Sequence, residues 1–513
     1  GPRAVIAGLD GELAGAGRAA GTAAAGQFLT LRGVEQAAAA PGSRRRRRTP
    51  RLTYEYSVAG FTPSRSAASA ASIQPSTRAS FVSTLIFVNI DACRLRCQSD
   101  GMAKIHFLDV TNRDGVQTAR TGLSKFGKTM VNFYLGRLGA AQSEIGFPFL
   151  FHEVPYVRAQ IALAEAGAFG GLRLSGWCRG LAADVEKAAA VRVGGTGLAH
   201  YNLSISTSDH MIANKFRGRL DRDAIIRETA AAVRAAKAGG ASTVGVNAED
   251  GSRTDEGFLT EFALAAREAG ADRVRYCDTI GGDTPGRIRD RFARLAAAVE
   301  MPVETHCHND LGLAVANSVS GALGDLDAGQ DAWINTCVNG IGERSGNADL
   351  LSTILAFRHG FGLEDRVEIG DALDLSWARR FALWASYAFG QPLPYNQVGV
   401  GRNAFSHESG IHADGALKDH GNYELYDEQT LGPFPDDWHA KNGRVVLTGE
   451  YGGKAGFRHV MDGLGVEPVD DDLAFKVVQL CNAQTGRPLT DDELRFIGEY
   501  PRELALLFPG QLD

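Results

Sequence analysis

From residue 102 onward the chain switches repeatedly between two hydrophobic periods. Short runs rich in apolar and β-branched residues recur at about 105–111, 141–147, 172–178, 201–207, 243–249, 272–279, 302–308 and 332–338. Between them lie stretches with apolar residues at helical spacing, such as Arg222–Lys237 and Glu256–Ala269, with Asp221 and Thr254 placed as their N-caps. Eight strand–helix repeats in about 265 residues match the size of a (β/α)8 TIM barrel. An open doubly wound sheet is the alternative, but no Gly-x-Gly-x-x-Gly turn follows the first run. The pattern predicts an α/β chain with a barrel over 102–370. A mainly helical region follows over 371–513, with helices over Trp377–Phe389, Leu473–Gln484 and Asp491–Glu499.

The barrel reading predicts where chemistry should collect, because active sites of such barrels lie at the C-terminal ends of the strands. The unusual polar residues fall there: Arg113-Asp114 after the first run, Glu249-Asp250 after the fifth, Asp278-Thr279 after the sixth, His306 and His308 on the seventh, and 339–347 after the eighth. In a strand, side chains at i and i+2 share a face, so His306 and His308 point the same way while Cys307 points away. Asp114 can add a hard carboxylate from another strand. Such a mixed nitrogen and oxygen set suits a divalent cation in a catalytic role.

Composition narrows the function classes. The 513 residues are 44% hydrophobic and 22% charged, ordinary for a soluble globular protein, and the net charge of -6 argues against nucleic acid as the main partner. Residues 1–101 differ: thirteen arginines, no lysine and six acids give +7, against -13 for 102–513. This Ala-, Gly-, Ser- and Arg-rich segment shows no sustained apolar period and is expected to be a disordered leader. An organellar targeting peptide is one reading of it. Met102 is the first methionine, and the expected start of the functional protein, which is then cytoplasmic. The longest candidate membrane stretch, Phe81–Ile90, falls far short of the roughly 20 residues a spanning helix needs. Seven scattered cysteines (93, 97, 178, 277, 307, 337 and 481) fit buried thiols better than a disulfide framework. On composition alone, the histidines and acids of 407–414 read as a solvated loop.

Six motifs then carry a resemblance. They are Asp-Val-Thr-Asn-Arg-Asp-Gly-Val-Gln (109–117), Glu-Asp-Gly-Ser-Arg (249–253), Asp-Thr-Ile-Gly (278–281), His-Cys-His-Asn-Asp-Leu-Gly (306–312), Asn-Gly-Ile-Gly-Glu-Arg-Ser-Gly-Asn-Ala (339–348) and Phe-Ser-His-Glu-Ser-Gly-Ile-His-Ala-Asp-Gly (405–415). In this order, covering nearly everything from 105 to the C-terminus, they resemble the metal-dependent Claisen-condensing enzymes of the 2-isopropylmalate synthase and homocitrate synthase family. That family shares its barrel with 3-hydroxy-3-methylglutaryl-CoA lyase. The resemblance implies that Asp114, His306 and His308 bind a divalent metal (Mg²⁺, Mn²⁺ or Zn²⁺), with Asn347 in or near its coordination sphere. It implies that Thr279 hydrogen-bonds the carboxylate of a 2-oxo acid and that Gln117 orients the site. Arg113 would stabilise charge developing on the keto oxygen. The co-substrate is acetyl-CoA, whose methyl group needs a base. His412 matches that base, Glu249 is its expected acidic partner, and Tyr423 matches a tyrosine approaching the same site. His412 and Tyr423 match residues that often come from a neighbouring subunit in this family, so a homodimer or higher homo-oligomer is implied.

For the 2-oxo acid, the length of 102–513 and the segments Ser175-Gly176-Trp177-Cys178-Arg179 and Asn422-Tyr423-Glu424 resemble nitrogen-fixation homocitrate synthases, pointing to 2-oxoglutarate. Asn112, Val116 and Asn247 depart from the family pattern near the expected pocket, keeping isopropylmalate-, citramalate- and citrate-forming activities as alternatives. A lyase of the hydroxymethylglutaryl type should carry a Gly-Gly-Cys loop after the eighth run, where this chain has Asn339-Gly340-Ile341-Gly342-Glu343. A non-catalytic binding protein on the same barrel is disfavoured, because every chemical position is filled.

Overall fold

Each of the eight predicted runs forms a parallel strand: β1 (Lys104–Asp109), β2 (Gln142–Glu144), β3 (Arg173–Arg179), β4 (His200–Ser206), β5 (Thr243–Glu249), β6 (Arg273–Asp278), β7 (Val303–Cys307) and β8 (Ala332–Thr336). The computed structural model describes residues 103–364, 366–433, 445–485 and most of 488–512. The expected leader over 1–101, Met102 and the first two cysteines lie outside the described residues. Each strand pairs with the next, and β1 pairs with β8 from Ile105↔Ala332 to Asp109↔Thr336. That pairing closes the sheet into a barrel and removes the open doubly wound alternative.

Alternation along the strands sorts the side chains into two environments. One set faces the surrounding helices: Phe107 meets Phe357 of α8 (Leu350–His359) edge-on, and Tyr276 meets Phe292 of α6 (Pro285–Val299). The other set fills the barrel and is strongly polar. Glu144 accepts from Asn202 (2.9 Å) and forms an ion pair with Arg275 (2.9 Å), and Arg275 reaches Glu304 at 2.5 Å. Buried charges persist only when paired, since removing one partner strands the other at a cost of about 3–5 kcal/mol. The runs read as apolar in sequence because their helix-facing half is apolar.

The remaining helices are α1 (Lys125–Leu138), α2 (Val154–Glu165), α3 (Ala182–Ala189), α4 (Arg222–Ala238), α5 (Glu256–Glu268) and α7 (Ala314–Asp327). Asp221 caps α4 by accepting from Ala224 N at 2.8 Å, as expected. The cap of α5 is Asp255, not Thr254: Asp255 accepts from Phe258 N at 3.0 Å, whereas the Thr254 hydroxyl turns inward to Thr207 (2.8 Å). One residue of shift follows because a carboxylate is the better acceptor for the first helical N–H groups.

After the barrel, β9 (Glu368–Ile369) runs beside β1, and α9 (Ala378–Phe389) packs on α1. Next come β10 (Ser406–His407), paired in parallel with β11 (Val445–Val446), and α10 (Gly410–Lys418). The helices α11 (Lys454–Gly463), α12 (Asp471–Thr485), α13 (Asp491–Glu499) and α14 (Pro501–Ala505) gather around a second small core of Phe457, Met461, Val477, Val478, Leu494, Ile497 and Phe508. Among the described cysteines, 178, 277, 307 and 337 are buried free thiols and Cys481 is half-buried. No described helix is long and apolar enough to cross a membrane.

Candidate metal centre and active site

Asp114 sits in a tight turn after β1, where the backbone N–H groups of Arg113, Asp114 and Gly115 all return to the Val110 carbonyl at 3.0, 2.8 and 3.2 Å. The turn is tied to the far side of the barrel closure, because Val338 N donates to Thr111 Oγ1 at 3.0 Å. His306 and His308 project from β7 and its end. Their Nε2 atoms lie 3.9 and 4.0 Å from Asp114 Oδ2, and one ligand atom from each of the three lies within 4.8 Å of the others. Asn347 completes this corner: its backbone bridges His308 and its Nδ2 donates to Asp114 Oδ2. Gly342 permits this closeness, since a Cβ there would collide with the Asn347 amide and stand 3.3 Å from Asp114 Oδ2.

These residues fit a divalent cation. All are buried, and Nδ1 of both histidines and Oδ1 of Asn347 have no hydrogen-bond partner among the described residues. Burial, reinforced by Arg113, pushes the pKa of His306 well below its ordinary value; burial lowers that of His308 too, with Asp114 opposing. Neutral imidazole is the form that ligates metal. A buried carboxylate beside two neutral imidazoles is a costly arrangement that a bound cation would compensate.

Arg113 is clamped beside this corner. Its Nε donates to Glu144 Oε2 at 2.6 Å and its Nη1 lies 3.2 Å from Asp114 Oδ1, while its guanidinium faces Trp177 at 6.0 Å. Burial works against its charge, but Glu144 and Asp114 outweigh burial and raise its pKa. Glu144 is likewise held below the usual carboxylate range: burial raises it, and Arg275 and Arg113 more than reverse that. A fixed, fully charged guanidinium therefore borders the Asp/His/His corner.

Thr279 is half-buried at the end of β6, and its hydroxyl oxygen accepts from Asp250 N at 2.8 Å, leaving its own O–H to donate elsewhere. Gln117 lies on the short turn Gly115–Gln117 directly after Asp114 and is exposed. Asn112, expected beside the pocket, is instead fully buried against α1, donating to Lys128 O (2.8 Å) and Asn132 Oδ1 (2.9 Å). Val116 is half-buried against the apolar core. Asn247 does face the barrel interior, two residues before Glu249 on the same side of β5.

Glu249 stands opposite the metal corner in the barrel circuit, and its partners differ from those expected. Ser206, its in-register neighbour on β4, donates to Oε2 at 2.5 Å, and Lys215 Nζ reaches both carboxylate oxygens at 2.8 and 2.7 Å. His412, on α10, is exposed and lies with its ring centroid 4.3 Å from that of Tyr423. A Cβ at Gly415 would collide with the Tyr423 ring, so this glycine lets the tyrosine lie close against α10. Among the described residues no hydrogen bond or ion pair joins His412 to Glu249. The expected pair is therefore not formed within one chain: α10 packs on α11 and the His420–Asn422 turn.

Sequence reasoning thus assembled the metal corner but missed Glu144, Arg275, Ser206 and Lys215. Polar and charged residues at alternate positions of strand-like runs (Gln142 and Glu144, Arg273 and Arg275) were the available signal for the first two. Nothing local in the sequence ties Lys215 to Glu249.

The fold and this site define an α/β barrel whose strand ends present a buried Asp/His/His group beside a fixed arginine. Comparison with known proteins agrees. The HMGL-like family matches residues 104–376, and the domain described as homocitrate synthase post-HMGL domain-like matches 400–484. The chain is 51% identical over 419 residues to a citrate (Re)-synthase of Dehalococcoides mccartyi, covering 80% of this chain and all of that protein. It is 34% identical to 2-isopropylmalate synthase 2 of Caldanaerobacter subterraneus subsp. tengcongensis (77% of this chain, 95% of that protein). It is 31% identical to homocitrate synthase 1 of a Nostoc species (77% and 96%). The chain belongs to the isopropylmalate and homocitrate synthase family of HMGL-like barrels, and is a condensing acyltransferase of that family.

Proposed function

We propose that the protein condenses acetyl-CoA with oxaloacetate to give citrate and free CoA. The observation that carries this reading is the 51% identity, over the whole length of the relative, with a protein named citrate (Re)-synthase. The homocitrate and isopropylmalate synthases stand at 31–34%. Citrate built by adding an acetate unit to a 2-oxo acid requires the four-carbon dicarboxylate oxaloacetate, which displaces 2-oxoglutarate as the favoured substrate. The balance is acetyl-CoA, oxaloacetate and water giving citrate, CoA and a proton.

Asp114, His306 and His308 would hold the divalent metal, with Asn347 orienting Asp114. The cation supplies Lewis-acid polarisation of a ligating carbonyl. The chain's own groups do the remainder. Thr279 donates its hydroxyl proton to the carboxylate next to the keto group. Arg113, locked by Glu144, faces the oxygen on which negative charge develops and needs no reorganisation to do so. His412 removes a proton from the acetyl methyl group, and the carbanion equivalent so formed attacks the keto carbon. Tyr423, against His412, lines the acetyl end. Because no hydrogen bond or ion pair among the described residues joins His412 to Glu249, we infer a homodimer in which His412 and Tyr423 serve the partner's barrel.

The test is CoA release from acetyl-CoA by Mn²⁺- or Mg²⁺-loaded protein against oxaloacetate, 2-oxoglutarate, 2-oxoisovalerate and pyruvate. Oxaloacetate should give the highest kcat/KM. A preference for 2-oxoglutarate or 2-oxoisovalerate overturns the substrate, and no CoA release with any of the four overturns the reaction class.

A further inference from the structure

The chain places an ammonium group on a candidate catalytic carboxylate, and the assigned chemistry gives it no task. Lys215 lies on a five-residue π-helical turn, Ile212–Phe216, that ends at Arg217 in the left-handed region (φ 52°). Single π-turns concentrate at functional sites because the wider turn redirects a side chain that an α-helix would aim elsewhere. Here the redirected side chain contacts three oxygens: Glu249 Oε1 at 2.8 Å, Glu249 Oε2 at 2.7 Å and Ser206 Oγ at 3.0 Å. Ser206 in turn donates to Glu249 Oε2 at 2.5 Å. Two donors from one neighbouring strand and its following turn thus fix both oxygens of one carboxylate.

The neighbouring acid is dealt with separately. Asp250, in a left-handed conformation (φ 65°), turns its carboxylate to Ser208 and Arg253 (2.9 Å). Lys215 is therefore committed to Glu249 and not shared across an acidic cluster. The Lys215 side chain is about half exposed (48%) and that of Glu249 is 29% exposed. Exposed ion pairs of this sort add little to fold stability, so stability alone gives a weak account of the convergence.

We propose that Lys215 is a positioning residue for the condensation: with Ser206 it fixes the plane of the Glu249 carboxylate at the barrel mouth, ready to accept a hydrogen bond from the incoming histidine base. The inference rests on the reading above for its reaction but on the geometry alone for the contact. Lys215→Met should lower kcat by about 10²-fold, the scale of a small misplacement of a catalytic group, with KM for the 2-oxo acid unchanged and thermal unfolding like the wild type. Lys215→Arg should recover most of the loss. In a Glu249→Gln background, Lys215→Met should have no further effect, because its target is already gone.

The experiment measures kcat and KM for the full-length, metal-loaded wild type, the three single variants and the Glu249→Gln/Lys215→Met double variant. NMR of isotope-labelled lysine Nζ is recorded on the same samples. A wild-type kcat in Lys215→Met, full multiplication of the two defects in the double variant, or a defect in KM alone overturns the proposal. So does a Lys215 Nζ signal unmoved by Glu249→Gln, a readout that needs no turnover. A wild type inactive with every 2-oxo acid overturns the functional reading instead, and the Nζ signal then still decides the contact.

Discussion

At the metal corner, Asp114, His306, His308 and Asn347 converge from β1, β7 and the loop after β8, all buried and cross-bonded within one chain. Across the mouth, Glu249 is partly exposed and held by Lys215; outside the barrel strands, His412 and Tyr423 stand exposed on α10 and the turn beyond it. On the roles proposed above, the contrast follows from what each half would do. Cation ligands need a fixed, desolvated geometry before the cation arrives. A base for a weakly acidic methyl group needs only to arrive once both substrates are bound, and a surface element can bring it.

Substitutions on the two sides should fail differently. His308→Ala removes a proposed ligand from the preassembled half, so bound metal and turnover should vanish together while the barrel stays folded; metal analysis and circular dichroism check this. Retained turnover in rigorously metal-free protein would break the metal side of the comparison. His412→Ala removes the proposed base alone, and turnover should fall by about 10²–10⁴ with metal content and 2-oxo acid affinity kept. Hydrogen–deuterium exchange at the acetyl methyl group, with an unreactive 2-oxo acid analogue bound, should slow in this variant. Exchange at the wild-type rate would pass the role of base to another group.

The smallest expected effect lies at the opposite end of the barrel. Burial, helped by Arg173 and Arg273, lowers the pKa of His200 from 6.5 to about 4, and its Nδ1 meets Thr243 Oγ1 at 2.7 Å. Between those two values the unfolded chain binds the extra proton, so this contribution to stability is complete above pH 6.5 and is lost as pH falls through about 4. His200→Gln should therefore show a shallower loss of urea midpoint over that range than the wild type. An identical pH slope would show that His200 is not a source of it.

The barrel was legible because strand and helix periods alternate over nearly its whole length, and all eight runs become strands. The metal corner was legible for a related reason: His306 and His308 share a face by strand geometry alone, and Asp114 falls at the same end of the barrel. What stayed hidden depends on contacts between distant elements. Glu144, Arg275 and Glu304 look like interruptions in apolar runs until closure brings β2, β6 and β7 together around one polar interior. Lys215 meets Glu249 only through a π-turn that no simple periodicity signals. The Glu249–His412 pair was expected from resemblance, and the chain by itself leaves its two members with other partners.

The sharpest test of a two-chain active site mixes two inactive proteins. His308→Ala lacks the metal corner and His412→Ala lacks the base; if the base serves the partner's barrel, each mixed dimer contains one intact site. Co-refolding equal amounts should then restore about a quarter of wild-type turnover, since half of the dimers formed are mixed. Turnover no higher than the sum of the two variants alone, with mixed dimers verified by mass, would contradict the account and return His412 to its own barrel.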